Sequence, residues 1–261
     1  IMFQHLRHAV QFAILACGAA WVSGVHAAAI PGQGTWESTL QARDIDHDGK
    51  VDAYYDTSLN ITWLADAYAD GPPAGFPPGR PIRFWSEAHE WTYNLNVDGI
   101  TGWRLPTVIN DPSALTLGGR SCADPASTMG SLCGFNSDPS QSELAHMFYV
   151  TLGNQALVST SGESQPGGGL SNTGPFSDLR PDWYWTETRA NPVGKYVWMF
   201  AMNSGAQFVT DPMDGIPYGA WAVHDGDIAA AVPEADTVLL AASGALVMAA
   251  WARTRRRRGS V

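Results

Sequence analysis

The chain has 261 residues, is 45% hydrophobic and carries a formal net charge of −10 at neutral pH. Between its two apolar termini stand 9 basic and 23 acidic residues, a net of −14, which argues against a nucleic acid or heparin-like partner held by bulk charge and favours cation binding or solubility. About 200 residues there suffice for one domain with its own core, and nine of the eleven tryptophans, many glycines and prolines and little lysine point to a loop-rich extracellular fold.

Gln4-His5-Leu6-Arg7-His8 is weakly basic and leads into an apolar run from Ala9 to Val25, then Ala27-Ala28-Ala29. This is the pattern of a signal peptide over residues 1–29, cleaved after Ala27 or Ala29. Cys17, preceded by Leu15-Ala16, offers a lipoprotein alternative, but the apolar run continues past it through Trp21 and Val22. Residues 30–43 read as a linker and 44–229 as the domain.

Asp44-Ile45-Asp46-His47-Asp48-Gly49-Lys50-Val51-Asp52 alternates carboxylates around a glycine, as the first nine positions of a calcium loop do. Position twelve, where an EF-hand needs a bidentate Glu, is Tyr55, and no helical pattern precedes the run. Two readings stay open. One is a calcium site with Asp44, Asp46, Asp48 and Asp52 as carboxylate ligands and Lys50 supplying a backbone carbonyl; the other is a solvated turn. A calcium site lacking the twelfth-position Glu is expected to be weak, with Kd roughly 10⁻⁴ to 10⁻³ M.

Ala53 to Asp56 and Ile61 to Leu64 read as strands of a hairpin around Thr57-Ser58-Leu59-Asn60. A Gly/Pro loop from Asp70 to Pro81 precedes a helix over Phe84 to Leu95, whose inward face is Trp85, Ala88, Trp91 and Leu95, with His89 a structural residue beside it. Gly99-Ile100-Thr101-Gly102-Trp103-Arg104-Leu105-Pro106-Thr107 reads as a glycine turn delivering a short strand. Trp103 and Leu105 lie on its buried face, Arg104 on the other, and Pro106 ends it. Trp103 is expected at the centre of a small core.

Cys122 and Cys133, with ten residues between them, are expected to form a disulfide in an oxidising compartment. Ser140-Gln141-Ser142-Glu143 reads as a capping box before a second helix with Leu144, Met147, Phe148 and Leu152 inside, Gly153 as its stop and His146 facing away. Gly162 to Asp182 is a long loop whose length points to a functional or mobile surface segment. Strands then follow at Trp183-Tyr184-Trp185-Thr186, Tyr196 to Phe200, Ala206 to Thr210 and Gly219 to Val223, with Asp225-Gly226-Asp227 as an exit turn. Two helices followed by an antiparallel meander make an α+β domain.

At the C-terminus, Val232-Pro233-Glu234-Ala235 precedes fifteen apolar residues from Thr237 to Trp251, and Arg253 and Arg255 to Arg258 follow. Residues 230–261 resemble the PEP-CTERM sorting tail of Gram-negative, exopolysaccharide-making bacteria, with Pro233 and Glu234 in the motif and Ala235 in place of its second proline. The resemblance implies insertion in the inner membrane with the arginines inside. It also implies exosortase as the processing partner and a final location on the cell surface or in the extracellular matrix.

Within the domain, a set of motifs in fixed order resembles the DUF1566 family, related to the Lcl C-terminal domain. The motifs are Ile61-Thr62-Trp63-Leu64-Ala65-Asp66, the helix with Trp85 and Trp91, Gly102-Trp103-Arg104-Leu105-Pro106-Thr107, Leu132-Cys133-Gly134-Phe135-Asn136, Ser142-Glu143-Leu144-Ala145-His146, Asn172-Thr173-Gly174-Pro175-Phe176, Tyr184-Trp185 and Tyr218-Gly219-Ala220-Trp221-Ala222-Val223. The resemblance implies a C-type-lectin-like fold with two helices, small antiparallel sheets and long loops. Family members usually end Trp-Ala-Val-Arg-Pro-Gly, whereas this chain has His224-Asp225-Gly226 after Trp221-Ala222-Val223.

The functional expectation is a non-enzymatic surface or matrix protein that binds carbohydrate or helps organise an exopolysaccharide layer. Trp183, Tyr184 and Trp185 are the candidate stacking residues for sugar faces, with core strand residues as the competing reading. The alternatives are a structural envelope protein without a small ligand, or an enzyme on a scaffold like that of formylglycine-generating enzymes. No Gly-x-Ser-x-Gly or His-Glu-x-x-His motif is present to support the last.

Overall fold

The computed structural model describes residues 28–68, 84–109, 134–190, 196–213 and 218–228. Residues 1–27 of the signal peptide with Cys17, the cysteine pair Cys122 and Cys133, the tail with Pro233 and Glu234, and the whole 70–81 loop lie outside the described residues. Among the described residues no helix is long and apolar enough to cross a membrane.

The architecture is α+β, with short helices and two four-stranded antiparallel sheets. The expected hairpin forms from β2 (Ala53–Asp56) and β3 (Ile61–Leu64). Its turn is closed by Asn60 N–H donating to the Asp56 carbonyl at 2.9 Å, with Asn60 at φ 54°, a conformation that asparagine tolerates. Residues 30–43, read as a linker, instead carry helix α1 (Trp36–Thr39) and strand β1 (Leu40–Arg43), which pairs with β2. Four residues of mixed polarity carry too weak a period to announce an edge strand. Burial of Arg43, 2% exposed and bound through two nitrogens to Asp227 at 2.7 Å each, holds it there.

Helix α2 (Trp85–Asn94) buries Trp85 and Ala88 as its spacing predicts, with Trp91 half-buried. The second predicted helix begins as α3 (Glu143–His146) and continues as a π-helical stretch, Met147–Thr151. Leu144, Met147, Phe148 and Leu152 are fully buried, as expected. The cap is Ser142, whose hydroxyl accepts from the Ala145 amide at 3.3 Å, rather than Ser140. Glu143 does not reach back because its carboxylate is taken by Arg104 and by the Thr107 amide. Gly153 does end the helix, at φ 65°, and its Cα side lies against Gly34 so closely that a Cβ on either glycine would overlap the other strand of backbone.

Strands β4 (Gly134–Phe135), β5 (Trp183–Arg189), β6 (Val197–Ala201) and β7 (Ala206–Thr210) make the second sheet in the order β4-β7-β6-β5. The predicted final strand is displaced. Gly219 forms a single parallel bridge to Tyr184 in the second sheet, and β8 (Val223–Asp225) pairs with β3 in the first. The segment 218–225 thus straps the two sheets together, and Asp225 belongs to the strand rather than to an exit turn.

The stretch around Trp103 is extended but joins neither sheet as a strand. Arg104 and Val223 exchange two backbone bonds of 2.8 Å, and Pro106, which has no N–H, cannot extend the ladder. Trp103 and Leu105 are both buried, yet in different clusters. Trp103 packs with Ile45, Ala53 and Ala222, and Leu105 with the α2 and β5–β6 residues. The largest core lies elsewhere. Trp63 and Trp221, with ring centroids 4.5 Å apart, pack there with Phe148, Phe176, Tyr184 and Phe200. The 162–182 loop helps to close that core through Phe176 and Leu179 and through Asn172, which is fully buried.

Candidate functional site

Of the three aromatics proposed to meet sugars, two are core residues. Tyr184 and Trp185 are fully buried. Tyr184 packs in the main core, where burial pushes its phenol well above tyrosine's usual value and its oxygen accepts the Arg180 amide at 3.0 Å. Trp185 meets Tyr218 edge-on. A strand whose two faces both meet packed layers buries consecutive residues, so their alternation gave no sign of it.

Trp183 differs. At the start of β5 it is half-buried, stacks on Tyr218 with centroids 5.4 Å and planes 23° apart, and leans on Phe208 at 6.1 Å. It lines an open cavity of about 460 Å³ with Phe208, Phe135 on β4, Met199 on β6 and Leu157, which is 41% exposed. The polar side chains on the same lining are Asn203 and Ser204 in the β6–β7 turn and Thr210, all uncharged. Trp183, Met199 and Phe208 come together because β5, β6 and β7 run in register, Trp185 opposite Met199 and Met199 opposite Phe208, which places odd-numbered β5 residues on that face. Phe135, Leu157 and Phe208 were not singled out from the sequence. Phe208 stood in the predicted strand Ala206 to Thr210 and Phe135 in the Leu132 to Asn136 motif, and neither pattern marked them as surface residues.

The acidic run folds into a tight turn in which His47 and Gly49 take φ of 62° and 89°. Carboxylate oxygens of Asp44, Asp46 and Asp48 lie within 4.8 Å of one another, which is about twice a calcium–oxygen bond. Asp44 Oδ2 accepts the Gly49 amide at 3.0 Å, while Asp44 Oδ1 is shielded from solvent without a hydrogen-bond partner. Of the four predicted carboxylates, Asp52 does not join. Asp52 Oδ2 accepts the Ile45 amide at 2.7 Å and its residue stands outside the group of three. Lys50 presents its ammonium to Asp48, which lowers the Asp48 pKa and raises its own. Three carboxylates and one orphan oxygen fit a cation, and the loop's own lysine competes for one of them.

His146 lies on neither site. Its Nε2 is 3.1 Å from Ser58 Oγ, and the Ser58 hydroxyl also reaches Asp56, a fully buried carboxylate. The imidazole also meets the Pro139 backbone, and the Ser58 hydroxyl donates to Asp56, so the group ties the β2–β3 turn to α3 and lacks the order of a nucleophilic relay. Burial pushes the imidazole below histidine's usual value, outweighing Asp56 and the Pro139 bond. The folded state therefore binds its proton less readily than the unfolded state. This contribution is complete above the unfolded value and is lost as pH falls through it toward the folded one. Melting temperature is expected to fall as pH drops below histidine's unfolded value of about 6.5, and His146→Gln to flatten that decline. Equal slopes in both proteins would assign the titration to another group.

The fold and the groove define a small α+β domain presenting an open aromatic surface framed by neutral polar groups. A scan against protein-family models, a search of curated proteins and a search of solved structures each found no match to this chain.

Proposed function

We propose that this is an exported, non-enzymatic protein of the cell surface or extracellular matrix that binds carbohydrate in an exopolysaccharide layer, on a C-type-lectin-like variant of the α+β fold related to DUF1566 domains. The ordered motifs support the family reading. The Pro233-Glu234 tail supports passage through the inner membrane and processing by exosortase. The observation that carries the binding reading is Trp183, half-exposed in an aromatic groove with Asn203 and Ser204 beside it. Concave, mostly apolar sites with a few oriented polar groups are what small polar ligands with an apolar face require.

A glycan array probed with the wild-type chain is expected to show binding that Trp183→Ala weakens by about tenfold or more, the loss that removing one stacking ring implies. Binding to no glycan would leave the domain a structural envelope component.

Calcium is proposed as the ligand of Asp44, Asp46 and Asp48. With Kd in the weak range expected for an extracellular module, 5 mM calcium would stabilise the fold by about 1–2 kcal/mol. Thermal melts in calcium, magnesium and a chelator measure it, and Asp44→Asn is expected to abolish the calcium response. Equal melting temperatures in all three conditions would leave the run as a solvated turn.

A further inference from the structure

A pyranose ring offers an apolar C–H face and a rim of hydroxyls. The groove matches both, with Trp183 and Phe208 for the face and the neutral side chains of Asn203 and Ser204 for the rim. A uronic acid or sulfated sugar would add an anion that, once desolvated, needs a cationic or multiply donating partner. Among the described residues the lining holds no ionisable side chain. Its flanks carry the wrong sign, since Asp182 precedes Trp183, with its carboxylate on the Trp183 amide at 2.8 Å, and Asp211 follows Thr210. Arg180, close in sequence, is committed to Asp178 through two nitrogens at 2.8 and 2.6 Å and lies over the Tyr68 ring. The net of −14 between the termini repels polyanions at longer range.

From this charge pattern we infer that the Trp183 groove takes uncharged polysaccharide and rejects uronate-bearing or sulfated chains; the inference rests on the carbohydrate reading of the same groove. The test is native affinity electrophoresis of the full chain in mild detergent, in gels cast with dextran or galactomannan and in gels cast with alginate or polygalacturonate, all with a chelator present to prevent calcium bridging. Retardation is expected in a neutral gel and not in the acidic ones. Trp183→Ala should raise the polymer concentration needed for half-retardation by about tenfold or more, and Trp183→Phe, which keeps a stacking ring, should retain most of the binding. Retardation in acidic gels that Trp183→Ala removes would overturn the selectivity and leave the carbohydrate reading standing. Retardation in no gel, or retardation indifferent to both Trp183 variants, would overturn the two together.

Discussion

Asn172→Ala is expected to cost about 4–6 kcal/mol of folding stability, close to the whole of a marginal domain's reserve. The Asn172 side chain is fully buried and uses every hydrogen-bonding position it has. Its Oδ1 accepts the Ile30 amide at 2.8 Å and the Gly174 amide at 3.0 Å, and its Nδ2 donates to the Gln33 carbonyl at 3.1 Å and the Leu152 carbonyl at 2.7 Å. Four backbone groups from three separate segments thus meet at one amide, and of these the Leu152 carbonyl has a second donor in the Gln33 side chain at 3.3 Å. Alanine would orphan the Gly174 amide and weaken the hold on the Leu152 carbonyl in the buried interior, and would free the partly buried Ile30 amide and Gln33 carbonyl, at about 1–3 kcal/mol for each group left fully buried. Asn172→Asp should be nearly as damaging, because it sets a carboxylate oxygen against the Gln33 and Leu152 carbonyls. Urea denaturation measures the loss, and limited proteolysis should show the arm around Ile30 to Gly34 cut first. A cost under about 1 kcal/mol would mean that water takes over the bonds.

Arg104→Met is expected to cost about 2–4 kcal/mol, a range reduced from that of a fully buried pair because Arg104 and Glu143 keep 22% and 16% of their side-chain surface. Arg104 binds Glu143 at 2.8 and 2.9 Å, Asp225 at 2.6 and 3.0 Å, and the Leu105 carbonyl at 3.0 Å. Burial favours the uncharged guanidine, but the two carboxylates outweigh it and keep its pKa above arginine's usual value. Removing the cation strands Glu143 close to the Thr107 amide, where α3, the Trp103 segment and β8 meet. Arg104→Lys should rescue little, since one ammonium cannot reproduce the fork. The double variant Arg104→Met with Glu143→Leu should be more stable than Arg104→Met alone, because the unpaired carboxylate is gone. Additive losses in that cycle would show that the two side chains do not interact.

Local pattern was enough for the hairpin at Ala53 to Leu64, for α2, for the inner face of the second helix and for the strands that became β5, β6 and β7. Each follows from spacing within a dozen residues, which sequence displays directly. The same holds for the acidic turn, whose Asp-x-Asp-x-Asp-Gly order dictates the conformation around Gly49 without help from the rest of the chain. Tertiary structure alone decided the remainder. β1 exists because Arg43 finds Asp227, which lies 184 residues away, and Glu143 left its predicted cap because Arg104 stood within reach. Whether consecutive aromatics face solvent or core depends on what packs on the second side of the sheet, so Trp183, Tyr184 and Trp185 could not be told apart from their letters. The groove is the strongest case. Phe135, Leu157, Trp183 and Phe208 come from four distant segments, and only strand register and the β6–β7 turn bring them to one surface.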